Sequence, residues 1–147
     1  MSIQQKIDLA IRASGSISIQ DLVEISNFSK KDGFYNSEEI QKIGNKGHFI
    51  TSPEISSLFG ICLTNQFLSV LPETKKVHLI EFGPGNGYLT LDILDYLKSK
   101  KIEVQKISIL EKSDFFIKEI KKKIPSAEVF DDLQNIKINP SITSFFY

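Results

Sequence analysis

Val77-His78-Leu79-Ile80-Glu81-Phe82-Gly83-Pro84-Gly85-Asn86-Gly87-Tyr88-Leu89-Thr90-Leu91-Asp92-Ile93-Leu94 is the stretch that decides the fold. A short apolar run, then glycines at every second position, then 3.6-residue periodicity reads as strand, tight turn and helix. That is the opening unit of a nucleotide-binding α/β sheet. Glycine serves in such a turn because the backbone must bend sharply and approach a ligand with no Cβ in the way. The helix start behind it offers unpaired N–H groups and the positive end of the helix dipole to an anionic group.

Spacing narrows the ligand. The dinucleotide fingerprint places glycines at positions one, three and six; here they stand at one, three and five (Gly83, Gly85, Gly87), and Tyr88 occupies the sixth position. Glu81, two residues before the first glycine, is ill placed beside a pyrophosphate, since like charges repel strongly in a partly buried site. A carboxylate there suits a cationic amine. A nucleoside with an amino-acid tail, S-adenosylmethionine, meets both conditions, and the pattern resembles motif I of class I methyltransferases. The competing reading is that Gly-Pro-Gly only makes a turn.

Composition removes several function classes. The 147-residue chain is 41% apolar, enough for one core, and carries 18 basic and 18 acidic residues, so no global field draws it to nucleic acid or anionic lipid. One cysteine, Cys62, rules out an internal disulfide and reads as a buried small hydrophobe. His48 and His78 are far apart in sequence, and no metal site is expected. No apolar stretch approaches a membrane span of about 20 residues, and the first residues resemble neither a signal nor a transit peptide. These features point to a soluble protein of a reducing compartment, the cytoplasm in a bacterium. Nothing in them addresses oligomeric state.

Upstream of the turn, Ile3, Ile7, Ala10 and Ile11 share one face of a helix closing near Gly15, and Ser18 heads a second helix carrying Leu22, Val23 and Ile25. The pair is read as a lid or brace across the sheet edge, or equally as a docking surface. Residues 28–50 read as a long loop anchored by Phe34, Tyr35 and Phe49. It ends in Thr51-Ser52-Pro53-Glu54, with Ser52 expected as the cap of a largely buried helix carrying Ile55, Leu58, Phe59, Cys62, Leu63, Phe67 and Leu68. A linker over 71–76 leads into the sheet. Downstream, strands are expected over 77–82, 107–110, 128–130 and 142–147, with helices after Gly87 and Ser113 and right-handed parallel crossovers. The expected organisation is an N-terminal helical and loop region, 1–76, before a partial Rossmann-like half-domain, 77–147.

With the loop included, the sequence resembles the N-terminal part of the MidA-like family of class I S-adenosylmethionine-dependent methyltransferases. Its mitochondrial members are arginine methyltransferases acting in respiratory complex I assembly. The resemblance rests on Gly33-Phe34-Tyr35, on Gly47-His48-Phe49-Ile50-Thr51-Ser52-Pro53-Glu54-Ile55-Ser56 with Phe59-Gly60, and on the turn from Glu81 to Gly87 through Asp92-Ile93-Leu94. The middle block is the most specific. His48 replaces a usual aspartate, Asn86 a common arginine and Tyr88 a small residue. The family's sheet has seven strands, against four here, so the resemblance implies the cofactor-binding half of a protein arginine methyltransferase, inactive alone. The alternatives are a non-catalytic binding or assembly module and a degenerate gene remnant.

Site roles follow. Gly83, Gly85 and Gly87 would bring backbone N–H groups to the methionine carboxylate, and Glu81 would take the methionine amine. Glu111, at the end of the second strand and 24 residues past Gly87, would take the ribose hydroxyls; its bland alternative is a neighbour of a helix cap. Asp131 or Asp132 would accept from the adenine amino group, unless they form only an acidic turn. Thr51 and Ser52 would line the cofactor's reactive end, although capping alone accounts for them. Glu54 is the upstream carboxylate that could hold a guanidinium on the catalytic side. The implied partner is a protein substrate, a complex I subunit in the mitochondrial members.

Overall fold

In a computed structural model describing residues 1–39, 42–71 and 73–147, β1 (Lys76–Phe82) is the inner strand on which the layers are built. Ile40 and Gln41 of the expected loop and Pro72 of the expected linker lie outside the described residues. Val77 to Glu81 are all buried, as a parallel strand covered on both faces requires. β2 (Glu103–Leu110), β3 (Glu128–Phe130) and β4 (Thr143–Phe146) complete a sheet of order β3-β2-β1-β4 in which every pairing is parallel. The α/β, Rossmann-like fold class expected from the sequence is present. β2 begins earlier than position 107 because Glu103 pairs with Lys76, extending the ladder to the start of β1.

Two helices cover one face of this sheet. α5 (Tyr88–Ser99) turns Thr90, Ile93 and Leu97 inward, and α6 (Asp114–Lys123) turns Phe116 and Ile120 inward. Ser113 caps α6, its hydroxyl accepting from Phe116 N, while Lys121, Lys122 and Lys123 sit at the negative end of the dipole. The core divides accordingly. Val77, Leu79, Ile93, Leu97 and Phe145 form one cluster, with Phe67 stacked on Phe145 at 4.1 Å between centroids. Ile107, Ile109, Phe116, Ile120 and Ile124 form the other.

The N-terminal region folds as two capped helices and a docked loop. α1 (Ile3–Ser14) opens on a Ser2/Gln5 capping box and closes at Gly15, whose φ of 76° is the left-handed stop that glycine accepts. α2 (Ile19–Phe28) opens on Ser18. Neither helix buries a residue fully. What holds the region is the corner between β2 and α6. The Ser113 hydroxyl donates to Tyr35 O at 2.6 Å, Asp114 N donates to Asn36 Oδ1 at 2.8 Å, and Lys112 pairs with Glu24. The helix pair and loop therefore brace the carboxyl ends of the strands.

The helix expected from Ser52 differs in three respects. Thr51, not Ser52, occupies the cap position of α3 (Ser52–Ile55), and no side chain caps it. Ser56 is extended and its hydroxyl accepts from Leu58 N, so a local side-chain bond replaces continuation of the helix and α4 (Leu58–Val70) starts afresh. Only Gly60 and Thr64 of α4 are buried; Ile55, Leu58 and Phe59 are exposed, and so is Cys62, contrary to the expected buried hydrophobe. The burial is narrow because α4 meets α5 through its small residues. A Cβ on Gly60 would lie 2.8 Å from Asp92 Cβ. No helix among the described residues is long and apolar enough to cross a membrane.

Gly60→Ala should therefore force α4 away from α5 and lower stability by about 1–3 kcal/mol, read as a reduced urea midpoint with an unchanged slope.

Candidate functional site

The glycine turn leaves the carboxyl end of β1 between the ends of β2 and β4, where the strand order reverses direction from the centre. Open parallel sheets bind ligands at such a point. Gly83, Gly85 and Gly87 all have positive φ, 64°, 55° and 76°, so the residue type is a backbone requirement. Two of their N–H groups, however, are engaged within the protein: Gly83 donates to Leu110 O at 2.9 Å and Gly87 donates to Pro84 O at 2.9 Å. Those two amides thus build the turn instead of facing a ligand, while the Gly85 amide acts to lower the Glu111 carboxyl. The donors that helix geometry leaves over are those of the first turn of α5, since Gly87 has no side chain with which to cap it.

Two carboxylates flank the turn. Glu81, 4% exposed, accepts from the Thr90 hydroxyl, and Thr90 in turn accepts from Tyr147 Oη at 3.3 Å. Burial, with the nearby charge of Glu111 adding to it, pushes the Glu81 carboxyl up to about 8. The Tyr147 phenol is pushed up by burial and by Glu81, so it stays a donor. Glu111, 7% exposed, is pinned by Lys112 N and Ser113 N, each donating to Oε1 at 2.7 Å. Burial raises its carboxyl while those backbone donors and Gly85 oppose the rise.

The cleft beside the turn has two lobes. One, of about 350 Å³, is lined by Glu81, Asn86, Tyr88, Leu89 and Tyr147 with Ser52, Glu54 and Phe59 opposite. The other, of about 300 Å³, holds Glu111 among the aromatic rings of Phe28, Tyr35, Phe49 and Phe116. Ile43, Thr51, Gly83 and Gly85 line both, so the lobes adjoin at the turn. Ile43 presses on Gly85 closely enough that a Cβ there would lie 2.9 Å from Cδ1. At Gly83 a Cβ would meet nothing within 4 Å, which marks the open side.

The structure gathers Thr51, Ser52, Glu54, Glu81, Gly83, Gly85 and Glu111 at this cleft. Glu54 reaches the turn itself, accepting from Asn86 Nδ2 at 2.8 Å. Gly87 shapes the turn from behind, packed against Ile120 and Ile124. Asp131 and Asp132 are exposed and line neither lobe, and the Asp132 carboxylate caps the following 3-10 turn by accepting from Gln134 N at 2.9 Å. Tyr35 and Phe49 serve both as loop anchors, the first edge-on to Phe34 and the second stacked on it, and as cleft wall. Sequence reasoning missed Thr90 and Tyr147. A hydroxyl on the otherwise apolar inner face of α5 was the available signal for Thr90; nothing local marked Tyr147. Among the described residues no group of three or more His, Cys, Asp or Glu is placed to hold a metal ion.

A parallel sheet with a glycine turn and a buried carboxylate at the ends of its first two strands defines a Rossmann-like nucleotide-site domain. A family model described as "Putative S-adenosyl-L-methionine-dependent methyltransferase" matches residues 58–145, and the chain belongs to that family of S-adenosylmethionine-dependent methyltransferases. Among curated relatives, the mouse mitochondrial protein arginine methyltransferase NDUFAF7 is 33% identical over 112 residues, covering 69% of this chain and 25% of that protein. The Caenorhabditis elegans homologue is 31% identical over 119 residues, covering 78% and 28%. A solved COG1565 superfamily member from Burkholderia thailandensis, bound to S-adenosyl-homocysteine, shares the fold with a TM-score of 0.66 at 23% identity over 89% of this chain and 37% of that one. The chain spans about a quarter of the length of the curated relatives it matches.

The raised Glu81 carboxyl fixes a sign for the pH dependence of stability. The folded chain keeps this proton between 4.5 and about 8 while the unfolded chain releases it, so stability falls as pH rises through that window. Glu81→Gln should remove this fall. In thermal melts its advantage over wild type should grow from nothing near pH 4.5 to on the order of a few kcal/mol near pH 8.

Proposed function

We propose that the cleft binds S-adenosylmethionine as the cofactor of a protein arginine methyltransferase, with residues 77–147 forming the cofactor half and 1–76 its helical and loop arm. The observation that carries this reading is the pair of buried carboxylates, Glu81 and Glu111, one in each lobe and with the glycine turn between them. The residues fit the group. A buried carboxylate whose proton is held up by burial gains most from a cation, here the methionine amine at Glu81. Glu111 offers Oε2, beside the pinned Oε1, to the ribose hydroxyls, and the four aromatic rings of its lobe suit the flat adenine.

The first-turn N–H groups of α5, at Tyr88 and Leu89, take the methionine carboxylate in place of the glycine amides. When bound, the sulfonium supplies the methyl electrophile, and the chain's own contribution is alignment and exclusion of water. Thr51 and Ser52 line the reactive end. Glu54, which lines the same lobe, would hold an arginine guanidinium of a protein substrate. The curated relatives' names support an arginine acceptor, and the family resemblance puts a respiratory complex I subunit forward as the partner.

Calorimetric titration of the chain with S-adenosylmethionine should give saturable one-to-one binding, weakened about tenfold by Glu111→Gln through loss of a charged acceptor. Absence of binding heat from a chain whose circular dichroism shows it folded would contradict the reading.

A further inference from the structure

Glu81 is the end of a short chain of hydroxyl groups. Tyr147 Oη donates to Thr90 Oγ1, and Thr90 Oγ1 donates to Glu81 Oε2. Thr90 is fully buried on α5, and Tyr147 follows β4, its N–H bonded to Ile80 O and its carbonyl accepting from Phe82 N. Three separate elements therefore converge on one carboxylate. Of the groups facing Glu81, Glu111 comes from the end of β2, Tyr147 from the end of β4 and Thr90 from α5, while Glu54 of α3 lines the same lobe. Lys123 of α6 reaches the turn, its Nζ donating to Asn86 O and lying 4.4 Å from the centre of the Tyr88 ring. Among the described residues, the cleft lining holds three carboxylates, Glu54, Glu81 and Glu111, and no cationic side chain.

We propose that Thr90 and Tyr147 are positioning residues that orient the Glu81 carboxyl and couple uptake of a ligand ammonium group to release of one proton from it. The inference rests on the reading of the cleft as an S-adenosylmethionine site. With the cleft unliganded, the anionic surroundings and burial keep Glu81 protonated at neutral pH. Binding breaks the carboxyl O–H bond; the proton passes to solvent, and the ammonium group provides the missing positive charge. The Thr90 hydroxyl stabilises the ionised form and keeps Oε2 directed away from the ligand, leaving Oε1 for the amine. Tyr147 orients Thr90: because the phenol remains protonated, it donates, and the Thr90 hydrogen is left for Glu81.

The test is calorimetric titration of the full chain with S-adenosylmethionine from pH 6 to 9, in buffers of different ionisation enthalpy. Wild type should release close to one proton per ligand at the acid end, with affinity rising by about tenfold per pH unit below pH 7 and turning over near pH 8, where the ligand ammonium group loses its own proton. Thr90→Val, which removes the hydroxyl at nearly constant volume, should move that maximum up by about half a pH unit and weaken binding at pH 7.5 by about tenfold. Thr90→Ser should restore the wild-type profile, and Tyr147→Phe should shift it in the Thr90→Val direction by less. If Thr90→Val does not fold, a wild-type profile in Tyr147→Phe overturns the proposal and a shifted one supports it. Wild-type binding without proton release, or a Thr90→Val profile that superimposes on wild type, would overturn the coupling alone. Absence of binding by wild type at every pH would overturn the cofactor reading as well.

Discussion

A carboxylate buried at the end of the central strand is the constraint around which the cleft is arranged. Glu81 lies on a strand whose neighbour β2 runs two residues past it to Glu111, while β4 brings Tyr147 level with it on the other side. Parallel pairing therefore delivers a second acid and a phenol to the same corner. Leaving a carboxylate there without a counter-ion is costly in a low-dielectric setting, and the protein meets that cost partly with the Thr90 hydroxyl and partly by retaining the proton. A site that destabilises its own empty state in this way is predisposed to a cationic ligand.

The glycine turn supplies shape, while the contacts come from elements around it. The Gly83 and Gly87 amides are internally bonded, the first of them to Leu110 O beside the second carboxylate. The N-terminal region closes the cleft from above: Ile43 on Gly85, Glu54 on Asn86, and Phe28, Tyr35 and Phe49 around Glu111. Its anchor is polar and local, made by Ser113 and Asp114 at the start of α6 with Tyr35 and Asn36. The same corner thus pins Glu111 and holds the aromatic wall beside it.

Much of this was legible in the sequence, for identifiable reasons. Strand, glycine turn and helix are read from local periodicity, and all four strands appear where apolar runs placed them. Glu81 is singled out in the sequence by standing two residues before the first glycine and Glu111 by closing the second strand, and the fold brings both to the cleft. What failed depended on tertiary contact. Cys62 exposure and the narrow burial of α4 follow from how α4 meets α5 at Gly60, which no pattern within the helix announces. The internal use of the glycine amides could not be known without the carbonyls they face. Asp131 and Asp132 follow β3, an outer strand, and line neither lobe.

The central claim is that the two carboxylates at adjacent strand ends hold opposite ends of one ligand. A crystal structure of the chain grown with S-adenosyl-homocysteine, which carries the same amine and ribose without the reactive methyl, tests this most directly. The account predicts the ligand amine within hydrogen-bond distance of Glu81, the ribose hydroxyls on Glu111, and the adenine among Phe28, Tyr35, Phe49 and Phe116. A ligand bound with its amine away from Glu81, or a cleft that stays empty at saturating ligand, would contradict it.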